Sequence, residues 1–132
     1  SNALALYVRG RIAESQGQAD LALADYRRAI TADADCARAL RRKWKLELQR
    51  GMLADAMSTL EQLMKAQTPT HEEKAALAQL YADTGFRTDI GLRLINEALV
   101  EKPGTKAYLA TRSKLATQRR PSRQPKIIRG GR

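Results

Sequence analysis

Three glycines divide this sequence at equal intervals. In a chain of 132 residues, Gly51 lies as far after Gly17 as Gly85 lies after Gly51, and we call this interval the period. About a dozen residues of helix-like sequence precede each glycine, and a similar segment follows it. Glycine adopts a positive φ without steric cost, so it suits the residue that directly follows a helix. A fixed period of this length, with two helices in each unit, predicts an array of helix–turn–helix repeats.

Other residues recur in phase with the glycines. Ala22 and Ala56 stand five residues after their glycines. Nine residues after the three glycines come Tyr26, Leu60 and Leu94. The phase of the third unit improves if the turn after Gly85 holds one extra residue, which we therefore expect. Three units in phase are a stronger signal of a repeat than one match to a loose pattern.

The recurring residues also match a known repeat. In the order of the three units they are Gly10, Gly17, Ala22, Tyr26 and Ala29; Leu40, Gly51, Ala56 and Leu60; and Leu77, Tyr81, Gly85, Ala98 and Pro103. This pattern resembles the tetratricopeptide repeat, a helix–turn–helix of about 34 residues with small residues where its helices touch. It departs from the family at Arg9, Lys43 and Trp44. The resemblance covers residues 3–104 and implies an all-α fold, a right-handed helical-repeat solenoid.

The predicted organisation follows from this period. Ser1-Asn2-Ala3, without an initiator methionine, indicates the remnant of an expression tag in residues 1–3, so we expect a segment of a longer protein. The expected parts are repeats at 3–36, 37–70 and 71–104, a helix at 105–118 and a basic flexible tail at 119–132. The helix at 105–118 is either a cap with a polar outer face or the first half of a further repeat, and a cap is the simpler interpretation.

Three local features can be tested against the structure. Thr70 and Glu73 form the sequence pattern of a capping box at the start of the fifth helix. Asp35 is the expected N-cap of the third helix. Trp44, the one tryptophan, is expected to pack between helices, with an anchor for a bound partner as the alternative.

Catalytic chemistry has few candidate residues here. The chain holds one histidine and one cysteine, and no phosphate-binding loop, zinc-ligand spacing or nucleophile elbow is present. Glu72 and Glu73 suit the first turn of a helix better than an acid–base role, and Cys36 suits a small packed residue better than a nucleophile. We therefore expect a protein that is not an enzyme and has no metal or cofactor.

Basic residues cluster on the third helix. Arg38, Arg41, Arg42 and Lys45 follow the spacing i, i+3, i+4 and i+7, which places them on one face. In the family that this chain resembles, the first helix of each repeat lines a concave groove for a partner peptide. Carried over, that resemblance implies a groove that includes Tyr7, Arg11, Arg38, Arg41, Arg42, Lys45 and Gln79, together with Leu4, Val8, Glu72, Ala75 and Asp83. Four cations would favour an acidic segment or a terminal carboxylate, although a solvated basic face is the alternative.

The net charge of +10 is concentrated at the C-terminus. Six basic residues and no acidic ones lie between residues 119 and 132, which leaves about +4 for the rest of the chain. They are Arg119, Arg120, Arg123, Lys126, Arg129 and Arg132. This tail is interpreted as a solvated linker, a phosphate-driven contact with nucleic acid, or a contact with anionic lipid.

These observations favour a non-catalytic interaction module or scaffold that docks a peptide or helix of a partner protein. The alternative is a basic adaptor that binds nucleic acid or another polyanion through the third helix and the tail. A rigid spacer is a third interpretation, and pairing with a second copy is left open. The compartment is also open, since bacterial cytoplasm and cell envelope both fit the sequence.

Overall fold

The computed structural model describes residues 2–119, which form seven α-helices and no β-strand. They are α1 (Asn2–Ser15), α2 (Ala19–Ala32), α3 (Ala37–Gln49), α4 (Leu53–Ala66), α5 (His71–Thr84), α6 (Thr88–Glu101) and α7 (Lys106–Arg119). The all-α class predicted from the sequence is confirmed. None of the helices in this range has the length and apolar character needed to cross a membrane. The contacts divide the chain after Pro69 into two compact units, unit one with α1–α4 and unit two with α5–α7.

The three glycines form three equivalent turns. Gly17, Gly51 and Gly85 have φ angles of +75°, +74° and +70°. In each turn, the backbone N–H of the next residue donates to a carbonyl in the last turn of the preceding helix. These bonds join Gln18 to Ala13 at 2.9 Å, Met52 to Glu47 at 2.9 Å and Phe86 to Tyr81 at 3.2 Å. This geometry closes a helix with a left-handed residue, as the glycine spacing predicts.

The turn after Gly85 is one residue longer than the other two. Helix α2 begins two residues after its glycine, and α6 begins three residues after Gly85. Arg87 is the extra residue, and its φ of +50° lies in the left-handed region. This insertion shifts the alignment of α6 by one position. Ile95, and not Leu94, therefore takes the place of Tyr26, which corrects the register expected at that position.

The two pairs of helices in unit one have side chains of different size at equivalent positions. A Cβ atom added to Gly10 would lie 2.5 Å from Cε1 of Tyr26, so α1 and α2 approach closely at this glycine. In the second pair, the equivalent positions hold Trp44 and Leu60, both buried. The packing role expected for Trp44 is confirmed, although its Nε1–H has no hydrogen-bond partner within the described residues.

The polar departure at Lys43 also has a structural explanation. Its Nζ donates to Oε2 of Glu47 at 2.7 Å and to Oγ1 of Thr59 at 2.8 Å. The Thr59 hydroxyl donates to the other carboxylate oxygen of Glu47 at 2.7 Å. Glu47 and Thr59 are both buried. A buried carboxylate needs such partners, so Lys43 satisfies a polar cluster inside the α3–α4 pair.

The two predicted helix starts have different outcomes. Thr70 Oγ1 accepts from the N–H of Glu73 at 3.1 Å, and Glu73 Oε1 accepts from the N–H of Thr70 at 2.8 Å, so the capping box is confirmed. The N-cap predicted at Asp35 is wrong. Cys36 is the N-cap of α3 and makes no side-chain cap bond. The N–H of Asp35 instead donates to Oδ1 of Asp33 at 3.0 Å, so the aspartates stabilise the loop before the helix.

In unit two, α7 packs against both α5 and α6. Leu115 is fully buried, and its Cδ2 lies 3.0 Å from the site of a Cβ atom added to Gly91 of α6. Polar bonds join α7 to α5 along the same side. Lys114 Nζ pairs with Oδ1 of Asp83 at 3.0 Å, and Gln118 Nε2 donates to the carbonyl of Ala82 at 2.7 Å.

Candidate partner-binding surface

Helix α1 brings Tyr7 and Arg11 together, because residues four apart lie on one side of a helix. Arg11 Nη1 donates to the hydroxyl of Tyr7 at 3.1 Å. The Tyr7 ring lies on that of Tyr26, with ring centroids 6.2 Å apart. Tyr26 is itself fully buried. A fixed aromatic side chain therefore holds Tyr7, and Tyr7 in turn holds the guanidinium of Arg11.

Glu14 joins α1, α2 and α3 through its carboxylate. Arg42 Nη2 pairs with Oε2 of Glu14 at 2.5 Å, and the Tyr26 hydroxyl donates to Oε1 at 2.6 Å. Burial raises the pKa of Glu14, but the hydrogen bonds from Arg42 and Tyr26 outweigh that effect and hold this pKa below its usual value. Burial and the Glu14 carboxylate also raise the pKa of the Tyr26 hydroxyl. Arg42 is thus a tethered cation and Tyr26 a neutral donor.

A small open cavity lies beside this ion pair. It has a volume of about 150 Å³ and is lined by Arg11, Glu14, Ser15 and Arg42. Two guanidinium groups and one carboxylate give its walls a net positive charge. The cavity has room for a small acidic group but is too small for a folded partner.

Arg41 is directed away from Arg42. Its Nη1 donates to Oε1 of Gln67 at 2.6 Å, and its Nη2 donates to the carbonyl of Thr68 at 3.2 Å. These bonds hold the segment that follows α4. The four basic residues of α3 share a helix face, but this face is wide enough for Arg41 and Arg42 to form hydrogen bonds with different parts of the chain.

Arg38 and Lys45 are the exposed members of the basic face. Within the described residues, neither forms an ion pair with a carboxylate. Lys45 Nζ lies 5.8 Å from the centre of the Trp44 ring, at the outer limit of a cation–π contact. These two side chains are therefore the cations of α3 that remain available to an external anion.

Gln79 belongs to unit two and is engaged there. Its Nε2 donates to Oδ1 of Asp83 at 2.8 Å, and its Oε1 accepts from the hydroxyl of Thr111. Both Gln79 and Asp83 thus contact α7. Of the basic tail, Arg119 ends α7. The other tail residues lie outside the described part of the chain; they are Arg120, Arg123, Lys126, Arg129 and Arg132.

The one histidine and the one cysteine each have local contacts. Nδ1 of His71 lies 2.8 Å from the hydroxyl of Tyr108, and Cys36 is half-buried against the core of α1 and α2. Between residues 2 and 119, no group of three His, Cys, Asp or Glu side chains could hold a metal ion.

The sequence analysis did not single out Glu14. A helical phase argument could have found it, because Glu14 stands three residues after Arg11 and seven after Tyr7, on the same side of α1. Its pairing with Arg42 required knowledge of how α3 packs on the first pair, and the helix pattern does not contain that information.

Comparisons with known proteins identify the fold. No family model and no curated protein matches the chain. Among solved structures, the first TPR of Spaghetti (RPAP3), bound to the HSP90 peptide SRMEEVD, is 15% identical with a TM-score of 0.67, over 88% of this chain and 91% of that one. A tetratricopeptide repeat protein from Parabacteroides merdae is 18% identical with a TM-score of 0.71. The alignment covers 89% of this chain and 46% of that protein.

A third similar structure is YrrB, described as a TPR protein with an unusual peptide-binding site. It is 15% identical with a TM-score of 0.67, over 86% of this chain and 67% of that one. The structural similarity establishes the fold. Because the sequence identities are this low, the function has to be argued from the residues of this chain. The chain has the tetratricopeptide repeat fold that the resemblance of its recurring residues implies.

Proposed function

We propose that the chain is a non-catalytic interaction module and that unit one binds an acidic segment of a partner protein. The proposed surface consists of Tyr7, Arg11, Arg38, Arg42 and Lys45. The observation that carries the proposal is the state of Arg38 and Lys45, which are exposed on α3 and have no carboxylate partner among residues 2–119. Arg41 and Gln79 play no part, because their side chains are engaged elsewhere.

The chemistry of the surface favours an acidic ligand. Arg11 and Arg42 flank the small cavity, and guanidinium groups bind carboxylates through paired hydrogen bonds. Glu14 offsets part of that charge, so the exposed cations Arg38 and Lys45 would supply most of the attraction. Tyr7 adds a half-buried ring against which an apolar side chain of the ligand could pack.

Two structurally similar proteins support a peptide as the ligand class. The first TPR of RPAP3 is bound to a peptide with two glutamates and a C-terminal aspartate, and YrrB has a peptide-binding site. These are properties of those proteins. They make an extended acidic segment a reasonable first probe for this chain.

The expected affinity is modest and salt-dependent. Each exposed ion pair contributes about 0.2–1 kcal/mol, so the exposed cations alone cannot give tight binding. Apolar contacts with Tyr7 must add to them. Charge screening at about 500 mM salt should weaken the interaction markedly.

The test is a selection of binders from a random library of twelve-residue peptides, with the full chain as bait at about 150 mM salt. We expect enrichment of Asp and Glu among the binders. The double variant Arg38→Glu with Lys45→Glu should lose these peptides and retain its helical circular dichroism. Arg41 is left unchanged because it holds the segment that follows α4.

The matched control reverses two exposed charges elsewhere in unit one, Arg27→Glu with Lys65→Glu. It changes the net charge by the same amount and should keep the binders. If both double variants lose them equally, the attraction comes from overall charge and the proposed surface is wrong. Peptides without acidic enrichment would also contradict the proposal.

A further inference from the structure

The segment that follows α4 presents a threonine at the surface. Residues 67–70 lie between α4 and α5 and outside both helices. Gln67 and Thr68 are exposed, and Gln67 is extended, with φ of −160° and ψ of 165°. Thr68 precedes Pro69, and a residue before proline avoids the helical region because the proline ring would collide with it. No other serine or threonine of the chain is followed by proline.

The other hydroxyl groups of residues 2–119 are less accessible to a reagent. Thr70 caps α5, and the Thr105 hydroxyl donates to the carbonyl of Lys102. The remaining ones lie within helices; they are Ser15, Thr31, Ser58, Thr59, Thr84, Thr88, Thr111, Ser113 and Thr117. Several of these donate to a carbonyl of their own helix. The Thr68 hydroxyl forms no hydrogen bond with the described part of the chain.

A guanidinium group is already bound to this segment. Arg41 Nη1 donates to Oε1 of Gln67 at 2.6 Å, and Nη2 donates to the carbonyl of Thr68 at 3.2 Å. The carbonyl and the side chain of Thr68 branch from the same Cα atom, so an anionic group on that side chain would lie near the guanidinium. Lys65, exposed in the last turn of α4, adds a second positive charge. All of these residues belong to unit one.

We propose that Thr68 is a phosphorylation site and that Arg41 binds the phosphate. The phosphoryl donor is ATP, and the enzyme is a protein kinase that recognises proline after the acceptor. Thr68 Oγ1 attacks the γ-phosphorus and forms the new O–P bond, while the bond from that phosphorus to the bridging oxygen breaks. ADP leaves with the electron pair, and the catalytic base of the kinase takes the hydroxyl proton.

The phosphate has a structural consequence for the α3–α4 pair. It carries a charge of about −1.5 to −2 at pH 7, and guanidinium groups bind phosphate through paired hydrogen bonds. Arg41 then exchanges its bond to the neutral amide of Gln67 for bonds to an anion. The modified Thr68 therefore ties the segment after α4 more firmly to α3.

The first test compares the folded chain with a synthetic peptide of residues 62–74. Both are incubated with Mg²⁺, ATP and a purified mitogen-activated protein kinase, which requires proline after the acceptor. If the fold already presents Thr68, no local unfolding has to precede the reaction. We therefore expect the folded chain to take up one phosphate, on Thr68, at a rate within about tenfold of that of the peptide.

Two variants assign the phosphate to its residue. Thr68→Val should abolish the uptake, whereas Ser58→Ala, which removes an exposed hydroxyl of α4, should leave it unchanged. A folded chain that reacts more than about tenfold more slowly than the peptide would overturn the proposal, because the segment would then have to unfold first. Phosphate on a different residue of the folded chain would also overturn it.

The second test asks whether Arg41 binds the phosphate. A neighbouring positive charge favours the dianion of the phosphate, which then binds its second proton at a lower pH. In ³¹P NMR, the phosphorylated wild type should titrate at least about 0.5 pH units below the phosphorylated Arg41→Gln variant. Arg27→Gln, which removes an exposed guanidinium of α2, should titrate like the wild type. A smaller difference for Arg41→Gln, or the same difference for Arg27→Gln, would overturn the role of Arg41.

Discussion

Arg9 of α1 and Asp25 of α2 form a two-point ion pair across the first pair of helices. Arg9 Nη2 lies 2.7 Å from Oδ1 of Asp25, and Arg9 Nε donates to Oδ2 at 3.0 Å. The Asp25 side chain is fully buried, whereas that of Arg9 is 56% exposed. The positions one period later hold Lys43 and Thr59, which also bond to each other. The third pair holds Leu77 and Leu94 there, both buried.

The chain thus contains its own apolar substitute for the Arg9–Asp25 pair. Arg9→Leu alone should destabilise the protein by about 1–3 kcal/mol, because the buried carboxylate of Asp25 loses its donors. Adding Asp25→Leu should recover most of the lost stability, since a well-packed apolar pair can replace a buried ion pair at little or no cost in stability. Urea unfolding at pH 7 of the wild type, both single variants and the double variant measures this coupling. A double variant less stable than Arg9→Leu would show that the ion pair, and not its desolvation, determines stability here.

The same ion pair predicts acid sensitivity. The hydrogen bonds from Arg9 hold the pKa of Asp25 below its ordinary value, despite the opposing effect of burial. A carboxylate with a lowered pKa in the folded state stabilises the fold above its unfolded pKa, about 3.9 for aspartate. This contribution is lost as the pH falls through the lower, folded pKa. We expect the double leucine variant to lose less stability than the wild type between about pH 5 and pH 2.5.

Asp20 provides the control for this pH dependence. Its side chain is 88% exposed and pairs with Arg50 at 3.0 Å. An exposed pair of this kind adds little stability. Asp20→Asn should therefore leave the acid profile of unfolding close to that of the wild type, as measured by circular dichroism across the same pH range. A profile as shallow as that of the double leucine variant would mean that general charge effects, and not Asp25, cause the acid sensitivity.

The turns were predictable because each depends on one residue type. A glycine with a positive φ, at a fixed spacing, requires only local information, so the helix order and the longer turn before α6 followed from the sequence. Arg87 shows where this local information ends. No sequence rule marks an arginine for the left-handed region, and the one-residue shift of Ile95 over Leu94 depends on it.

The candidate surface was harder to predict for the same reason. The side of α3 that carries Arg38, Arg41, Arg42 and Lys45 follows from helical spacing alone. Which of these cations already has a hydrogen-bond partner depends on residues 26–28 positions away in sequence, such as Glu14 and Gln67. Spacing within one helix cannot supply these partners.

Gly10 should resist replacement by alanine. In an exposed helix interior, Gly→Ala stabilises by about 0.5–1 kcal/mol. At Gly10 the new Cβ would meet the Tyr26 ring, which is buried and tied to Glu14. We therefore expect Gly10→Ala to destabilise by about 1–3 kcal/mol. Tyr26→Leu reproduces Leu60 of the second pair. In this background, Gly10→Ala should lower the free energy of unfolding by less. Unfolding experiments on the wild type, the two single variants and the double variant measure this difference.

Glu14 should act as an internal competitor for acidic ligands. Its carboxylate occupies Arg42 at 2.5 Å and lines the small cavity beside Arg11. Glu14→Gln removes the negative charge, and its amide oxygen can still accept from the Tyr26 hydroxyl. We expect this variant to bind the selected acidic peptides about 1 kcal/mol more tightly, a roughly fivefold gain. Fluorescence anisotropy with a labelled peptide measures the affinity. Asp20→Asn, which removes an exposed negative charge elsewhere, should not reproduce the gain, and an unchanged affinity in Glu14→Gln would exclude Arg42 and the cavity from the binding surface.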